Sequence, residues 1–311
     1  MQASMRAVSQ RIFGGPDVLE IIEIPRPEPG PGEVLIRVMA ASINPVDTYL
    51  RAGRVRFFGQ PPFTLGFDLS GVVEETGPGV AQFQHGDAVY GMPRSPAATH
   101  AEYTVARAID IAVKPDSLDH VHAGALPAAA LTAWQALVRT AGVEAGQRVL
   151  IHGAAGGVGH VAVQIAKAAG AHVFATARAD RHDFLRGLGV DDPIDYRTQD
   201  FSAVARDIDI VVDMVGADYG RRSLASLRRG GLLMAVSPVT GVTDDEVRQR
   251  GIRLVAFGSS SSGADMDALS KLVVDGQLRV HVEHVLRLER AAVGHEILEA
   301  GRMRGKVVLT P

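Results

Sequence analysis

The chain has 311 residues, 46% hydrophobic and 22% charged, with 34 Gly, 16 Pro and no Cys, the composition of a soluble globular protein of about two domains. Lys and Arg number 32 against 35 Asp and Glu, for a net charge of −3, and aromatics are 5% with one Trp. Without a basic stripe or a stacking platform the chain is not read as a nucleic-acid binder. Without Cys it has no disulfide, cysteine nucleophile, iron–sulfur cluster or thiolate zinc site.

MQASMRAVSQR lacks the apolar core of a signal peptide. The most apolar stretch, 123–138, is interrupted by Pro127, Thr132 and Gln135 and falls short of the ~18 residues of a membrane span. The expected setting is the cytoplasm.

Short strands separated by turn chemistry are predicted first, at Val34–Ala41, Gly71–Glu75 and Asp87–Tyr90, so the first 120 or so residues read as a β-rich barrel or sandwich. From about Gly124 strands and helices alternate: a strand at Arg148–His152, a helix over Val158–Ala169, then strands at Ala171–Ala177, Pro193–Asp195, Asp209–Val215, Leu232–Ser237 and Ile252–Phe257. Apolar strands alternating with helices predict a parallel, doubly wound sheet. The run Ser259–Gly263 reads as a hinge, followed by one helix at Met266–Asp275 and a closing strand at Gly305–Leu309.

Between the strand at Arg148–His152 and its helix stands Gly153-Ala154-Ala155-Gly156-Gly157-Val158-Gly159. A glycine-rich turn between strand and helix lets backbone N–H groups approach a pyrophosphate at the positive end of the helix dipole; the alternative is a tight turn with no ligand. About 20 positions on, an NAD-binding unit carries an acidic residue that binds the adenosine ribose. This chain has Ala175-Thr176-Ala177-Arg178 there. A carboxylate would repel a 2′-phosphate, whereas an arginine fork pairs with one, so the expected cofactor is NADPH, held by Thr176, Arg178 and, as a third candidate, Arg181. A solvated Arg178 is the alternative.

Further motifs are Ala41-Ser42-Ile43-Asn44-Pro45-Val46-Asp47-Thr48-Tyr49 with Arg51 and Gly53, Leu65-Gly66-Phe67-Asp68-Leu69-Ser70-Gly71, Gly86-Asp87-Ala88-Val89-Tyr90-Gly91, Ala130-Leu131-Thr132-Ala133-Trp134 and Gly305-Lys306-Val307-Val308-Leu309. In this order they resemble the zinc-independent medium-chain dehydrogenases/reductases of the NADPH:quinone oxidoreductase (zeta-crystallin-like) family over nearly the whole chain. The resemblance implies an α/β protein: a GroES-like β-barrel catalytic domain over 1–123 and 264–311, and a doubly wound Rossmann dinucleotide-binding domain over 124–263. It further implies an active cleft between the domains, roofed by the Asn44 and Phe67 loops, and a homodimer paired through the sheet edge at Gly251–Phe257. Zinc-dependent relatives hold catalytic zinc through Cys, His and Cys. The resemblance sets the first two of these ligands at Asn44–Asp47, where this chain has no Cys, and at Gly66-Phe67-Asp68, where Phe67 stands at the histidine position, so no metal is expected. Where family members often carry a second Tyr, this chain has Arg54-Val55-Arg56-Phe57-Phe58, and Phe57 and Phe58 are candidates for an apolar aromatic slot.

The resemblance places Asn44, Tyr49 and Phe67 beside the reacting groups, with Asn44 and Tyr49 orienting an acceptor oxygen or relaying a proton; the alternative is a turn-capping Asn and a core Tyr. Cofactor-binding candidates are Thr132, Ala155, Gly156, Gly157, Val158, Gly159, Thr176, Arg178, Tyr196 with Arg197, Ser237, Phe257 and Lys306. Ser237 and Phe257 stand where strands end, at the sheet edge along which dinucleotides lie. His120 with His122, and His281 with His284, lack an accompanying carboxylate cluster and read as ordinary histidines. Trp134 reads as helix core, and Asp47 with Arg51 as an i, i+4 ion pair. Without a Lewis acid, the acceptor must already be electrophilic. The expected activity is NADPH-dependent quinone reduction, the alternatives being an enone or enal reductase and an NADPH-binding sensor without turnover.

Overall fold

A computed structural model describes residues 3–94, 98–239 and 241–311. The chain divides into two units, one of Met1–Leu131, Ser260–Gly276 and Val280–Pro311, the other of Thr132–Ser259 and Gln277–Arg279. The junctions expected at 123/124 and 263/264 thus fall at Leu131/Thr132 and Ser259/Ser260, because the flanking helices pack on the barrel strands.

The first unit opens with β1 (Ser4–Gln10) and β2 (Glu20–Pro25), followed by β3 (Glu33–Ile43), α1 (Pro45–Arg51), β4 (Phe63–Thr64), β5 (Leu69–Thr76), β6 (Ala88–Gly91), β7 (Tyr103–Arg107) and β8 (Ile111–Val113). α2 (His120–Ala125) and α3 (Pro127–Trp134) follow, α3 running through the junction. β1 lies between β2 and β4 in a three-stranded sheet. β3 pairs antiparallel with both β5 and β7, and its side chains are buried along most of its length, as the centre of a folded-over sheet requires. α2 packs on β3 and β5, which assigns it to the barrel.

The second unit carries β9 (Arg148–His152), α4 (Gly159–Ala168), β10 (His172–Ala177), α5 (His182–Arg186), β11 (Asp192–Asp195), α6 (Phe201–Val204), β12 (Ile208–Asp213), α7 (Asp218–Ser223), β13 (Leu227–Ala235), α8 (Asp244–Arg250) and β14 (Arg253–Ala256). The six strands run parallel in the order β11-β10-β9-β12-β13-β14, the doubly wound order with its reversal between β9 and β12. The central strands carry apolar residues through their middles because both faces are covered; Val149, Leu150, Ile151, Val211 and Val212 are inaccessible.

The chain then returns through α9 (Gly263–Val274), β15 (Val282–Arg287), α10 (Ala291–Glu299) and β16 (Lys306–Thr310). β16 pairs with β3 and β15, closing a seven-stranded sheet with the opening segment. α9 packs on β8, and the Tyr90 hydroxyl lies 2.7 Å from Ser270 Oγ. The expectation of one helix and one strand after the hinge was too sparse: β15 and α10 are additional. Among the described residues no helix is long and apolar enough to cross a membrane.

Candidate active site

In the doubly wound unit, the chain turns from β9 into α4 through half-exposed Ala155, Gly156, Gly157 and Val158. A Cβ on Gly159 would lie 2.4 Å from the Gly153 carbonyl oxygen, so only glycine lets α4 start directly against the turn. The Ala154 N–H donates to the Thr176 carbonyl at 3.2 Å and ties the loop to the end of β10. The first N–H groups of a helix have no partner within it and carry the positive end of its dipole. The turn, its close approach to α4 and its place at the carboxyl edge of the sheet fit a bound pyrophosphate.

The sequence candidates around this loop fare differently. Thr176 is 1% exposed and bonds His152 Nδ1 at 3.0 Å, while His152 Nε2 lies 2.9 Å from Ser223 Oγ. Ser223 Oγ donates to the Tyr219 carbonyl, so Nε2 carries the hydrogen, and Nδ1 accepts the Thr176 hydroxyl proton. The Thr176 side chain is therefore committed inward, contrary to expectation. Burial, with the nearby Arg222 charge, holds His152 neutral down to about 3.

Arg178 caps the turn after β10 and meets Asp180 with both edges of a fork, Nε–Oδ1 at 3.1 Å and Nη2–Oδ2 at 2.6 Å. Arg181 Nε stands 3.7 Å from the same carboxylate, and Tyr196 is exposed just past β11. Ser237 and Phe257 line one cavity of about 320 Å³ beyond the ends of β13 and β14. Ser237 Oγ donates to the Met214 carbonyl at 2.9 Å, and Thr132 Oγ1 donates to Ser259 Oγ at 2.9 Å.

In the barrel unit, Asn44 stands at the N-cap of α1, and its side-chain amide meets two charged groups. Its Nδ2 donates to Asp68 Oδ2 at 2.9 Å, and its Oδ1 accepts from Lys306 Nζ at 2.6 Å. Asp68, fully buried, also accepts from the Ser42 hydroxyl and the Ala128 N–H, and Lys306 lies 3.4 Å from it. Lys306 is 4% exposed, and its ammonium is directed at Asn44 and Asp68.

Asp47 accepts from the N–H of Asn44 at 2.8 Å and of Gly66 at 2.9 Å, binding the start of α1 to the Gly66-Phe67 turn. Its burial pushes the carboxyl pKa up. Arg51 instead reaches α10, pairing with Glu299 at 2.7 Å and donating to His295 Nδ1 at 3.2 Å. The expected Asp47–Arg51 pair does not form, because each side chain finds a buried partner elsewhere.

Tyr49, 42% exposed, bonds no described residue through its phenol. Its carbonyl holds the following turn by accepting from Arg54 and Val55, ahead of Phe57. Phe67 stacks on Phe58 with centroids 5.9 Å apart and 23° between planes, and Phe57 meets both rings edge-on. Phe63 extends the cluster.

His120 bonds Ser70, and His122 bonds Asp119. Among the described residues no group of three or more His, Asp or Glu is placed to hold a metal ion. Sequence reasoning missed Asp68 and Asp180 as partners of the candidate residues; the only signal for them was Asp68 within the Gly66-Phe67-Asp68 motif and Asp180 two positions from Arg178.

Residues 30–138 match the alcohol dehydrogenase GroES-like domain family, and residues 188–309 match the zinc-binding dehydrogenase family. A 2-haloacrylate reductase from a Burkholderia species is 35% identical over 321 residues, covering 96% of each chain. The quinone oxidoreductase of Coxiella burnetii is similar in structure with a TM-score of 0.91 at 36% identity, covering 99% of this chain and 100% of that one. Escherichia coli quinone oxidoreductase, solved with NADPH, gives 0.90 at 28% identity, with 99% and 100% covered. These likenesses are to enzymes, and the reading as a sensor without turnover gives way. The chain belongs to the zinc-independent medium-chain dehydrogenase/reductase family of quinone oxidoreductases, and it is an oxidoreductase.

Proposed function

We propose that this oxidoreductase reduces quinones with NADPH and without a metal ion. The observation that carries the reading is the aromatic surface of the barrel unit, where Phe57, 55% exposed, packs with Phe58 and Phe67 just past the exposed Tyr49 phenol. Ring faces and edges suit a planar acceptor. Phe67 also occupies the position of a zinc ligand in zinc-dependent relatives, in a chain without Cys.

When bound, NADPH supplies the hydride. The Ala155–Gly159 turn holds the pyrophosphate, and Arg178 and Arg181 hold the 2′-phosphate through charge-assisted hydrogen bonds. Ser237 and Phe257, which share a cavity, hold the cofactor along the carboxyl edge of the sheet. Tyr49 donates to the acceptor oxygen. Asn44 assists with the N–H that Asp68 leaves free, its amide oriented by Lys306 and Asp68.

Reduction of an enone or other activated alkene is the second reading. It is favoured by the Tyr49 phenol, whose hydroxyl bonds no described residue, and by the likeness to a 2-haloacrylate reductase. Steady-state oxidation of NADPH with a panel of quinones and enones separates the two: turnover with enones alone overturns the first, and faster turnover with NADH than with NADPH overturns the cofactor assignment. We also propose a homodimer paired through β14, the edge strand of the six-stranded sheet. Light scattering near the monomer mass of 32.9 kDa at micromolar concentration overturns it.

A further inference from the structure

The proposed 2′-phosphate site contains its own anion. Arg178 presents Nε and Nη2 to the Asp180 carboxylate at 3.1 and 2.6 Å, and Arg181 stands 3.7 Å from it. Two guanidinium groups therefore share one carboxylate before any ligand arrives. Asp180 is 55% exposed and Arg178 29%, so the contact is free to open at small cost, as exposed ion pairs do.

A carboxylate and a phosphate are rivals for the same planar donor fork. A 2′-phosphate brings a charge of about −1.5 to −2 and must either displace Asp180 from Arg178 or bind the remaining donors with the carboxylate close by. A ribose 2′-hydroxyl presents the opposite chemistry, a donor that a carboxylate accepts. Resting on the reading that Arg178 faces the adenosine 2′ position, we propose that Asp180 is a specificity-determining residue: it accepts the 2′-hydroxyl of NADH and competes with the 2′-phosphate of NADPH for Arg178, so that the site takes both cofactors.

A purely supporting role makes the opposite forecast. If Asp180 only holds the Arg178 fork in place, its loss loosens the phosphate contact.

The test is fluorescence titration of NADPH and NADH into the parent protein and the Asp180→Asn, Asp180→Ala and Arg178→Ala variants. Both Asp180 variants are expected to bind NADPH about three- to ten-fold more tightly and NADH about three-fold or more weakly, the NADPH gain shrinking as salt is raised. An unchanged ratio of the two affinities, or weaker NADPH binding, overturns the proposal. Arg178→Ala separates this failure from that of the reading beneath it. If that variant loses NADPH affinity while the Asp180 variants keep the parental ratio, only the role of Asp180 falls. If it binds NADPH as the parent does, the placement of the 2′-phosphate falls, and the proposal with it.

Discussion

Lys306 and Asn44 lie 262 positions apart in the chain, and Lys306 Nζ donates to Asn44 Oδ1 at 2.6 Å inside the barrel unit. An ammonium only donates, so it faces the amide oxygen; a carboxylate only accepts, so Asp68 faces the amide nitrogen. The two charged neighbours thereby dictate the orientation of the Asn44 amide and leave it one N–H to offer.

Replacing Lys306 by Met leaves the fully buried Asp68 without its countercharge. Breaking a buried pair from one side costs about 3–5 kcal/mol. Urea unfolding of Lys306→Met is expected to show a loss in this range, and turnover is expected to fall as the Asn44 amide loses its fixed orientation. A stability within about 0.5 kcal/mol of the parent, the span of ordinary surface changes, refutes the countercharge role.

Much of the fold was legible where local pattern and tertiary role agree. β9 is a short apolar run ending at a glycine turn, and its bounds, Arg148–His152, are those the sequence predicts. β15 escaped notice because Glu283, His284 and Arg287 dilute its apolar pattern, as suits an edge strand covered on one face. α10 was hidden by Gly294, which reads as a breaker. In the fold it faces the end of the Ile43 side chain, 2.3 Å from where a Cβ would stand, so a larger residue would have to push Ile43 aside. At the site, residue types were legible and pairings were not: Asn44 and Lys306 each stood out, but only closure of the sheet by β16 against β3 brings them together.

Acid sensitivity follows from His152. Its pKa, lowered from 6.5 to about 3 by burial and by Arg222, means that the unfolded chain takes up a proton below pH 6.5 which the native state refuses. The stabilisation is complete above 6.5 and is lost as pH falls toward 3, at about 1.4 kcal/mol per pH unit. His295, lowered to about 2, acts in the same direction, while the raised carboxyls of Asp47 and Asp213 oppose it. The difference between parent and His152→Gln isolates one group: urea unfolding at pH 7, 6 and 5 is expected to give a shallower decline for the variant. Parallel declines rule His152 out as the source.

Chelation is expected to leave the enzyme unaffected. The chain has no Cys, no group of three or more His, Asp or Glu among the described residues is placed to hold a metal ion, and the ring of Phe67 is packed against Phe58. Dialysis against a strong chelator is expected to leave NADPH-dependent quinone turnover at the parental rate. Activity that vanishes on chelation and returns with zinc defeats the metal-free reading.

The sharpest test of the proposed chemistry is Tyr49→Phe. Hydride arriving at an enone leaves an oxyanion that needs a donor, and in a site without a metal ion that donor is a hydroxyl, an amide or water. Tyr49 is exposed and its phenol bonds no described residue, whereas the Asn44 amide already serves Asp68 and Lys306. Removing one donor of this kind costs on the order of 10²–10³ in turnover. Quinones make a smaller demand, because aromatisation stabilises the product and solvent can protonate it. Tyr49→Phe is therefore expected to depress enone reduction by about that factor, and quinone reduction much less, with NADPH affinity unchanged. Parental rates with both acceptors would reduce Tyr49 to a surface residue whose carbonyl holds the Arg54-Val55 turn, and the donor would then have to be the free N–H of Asn44 or water.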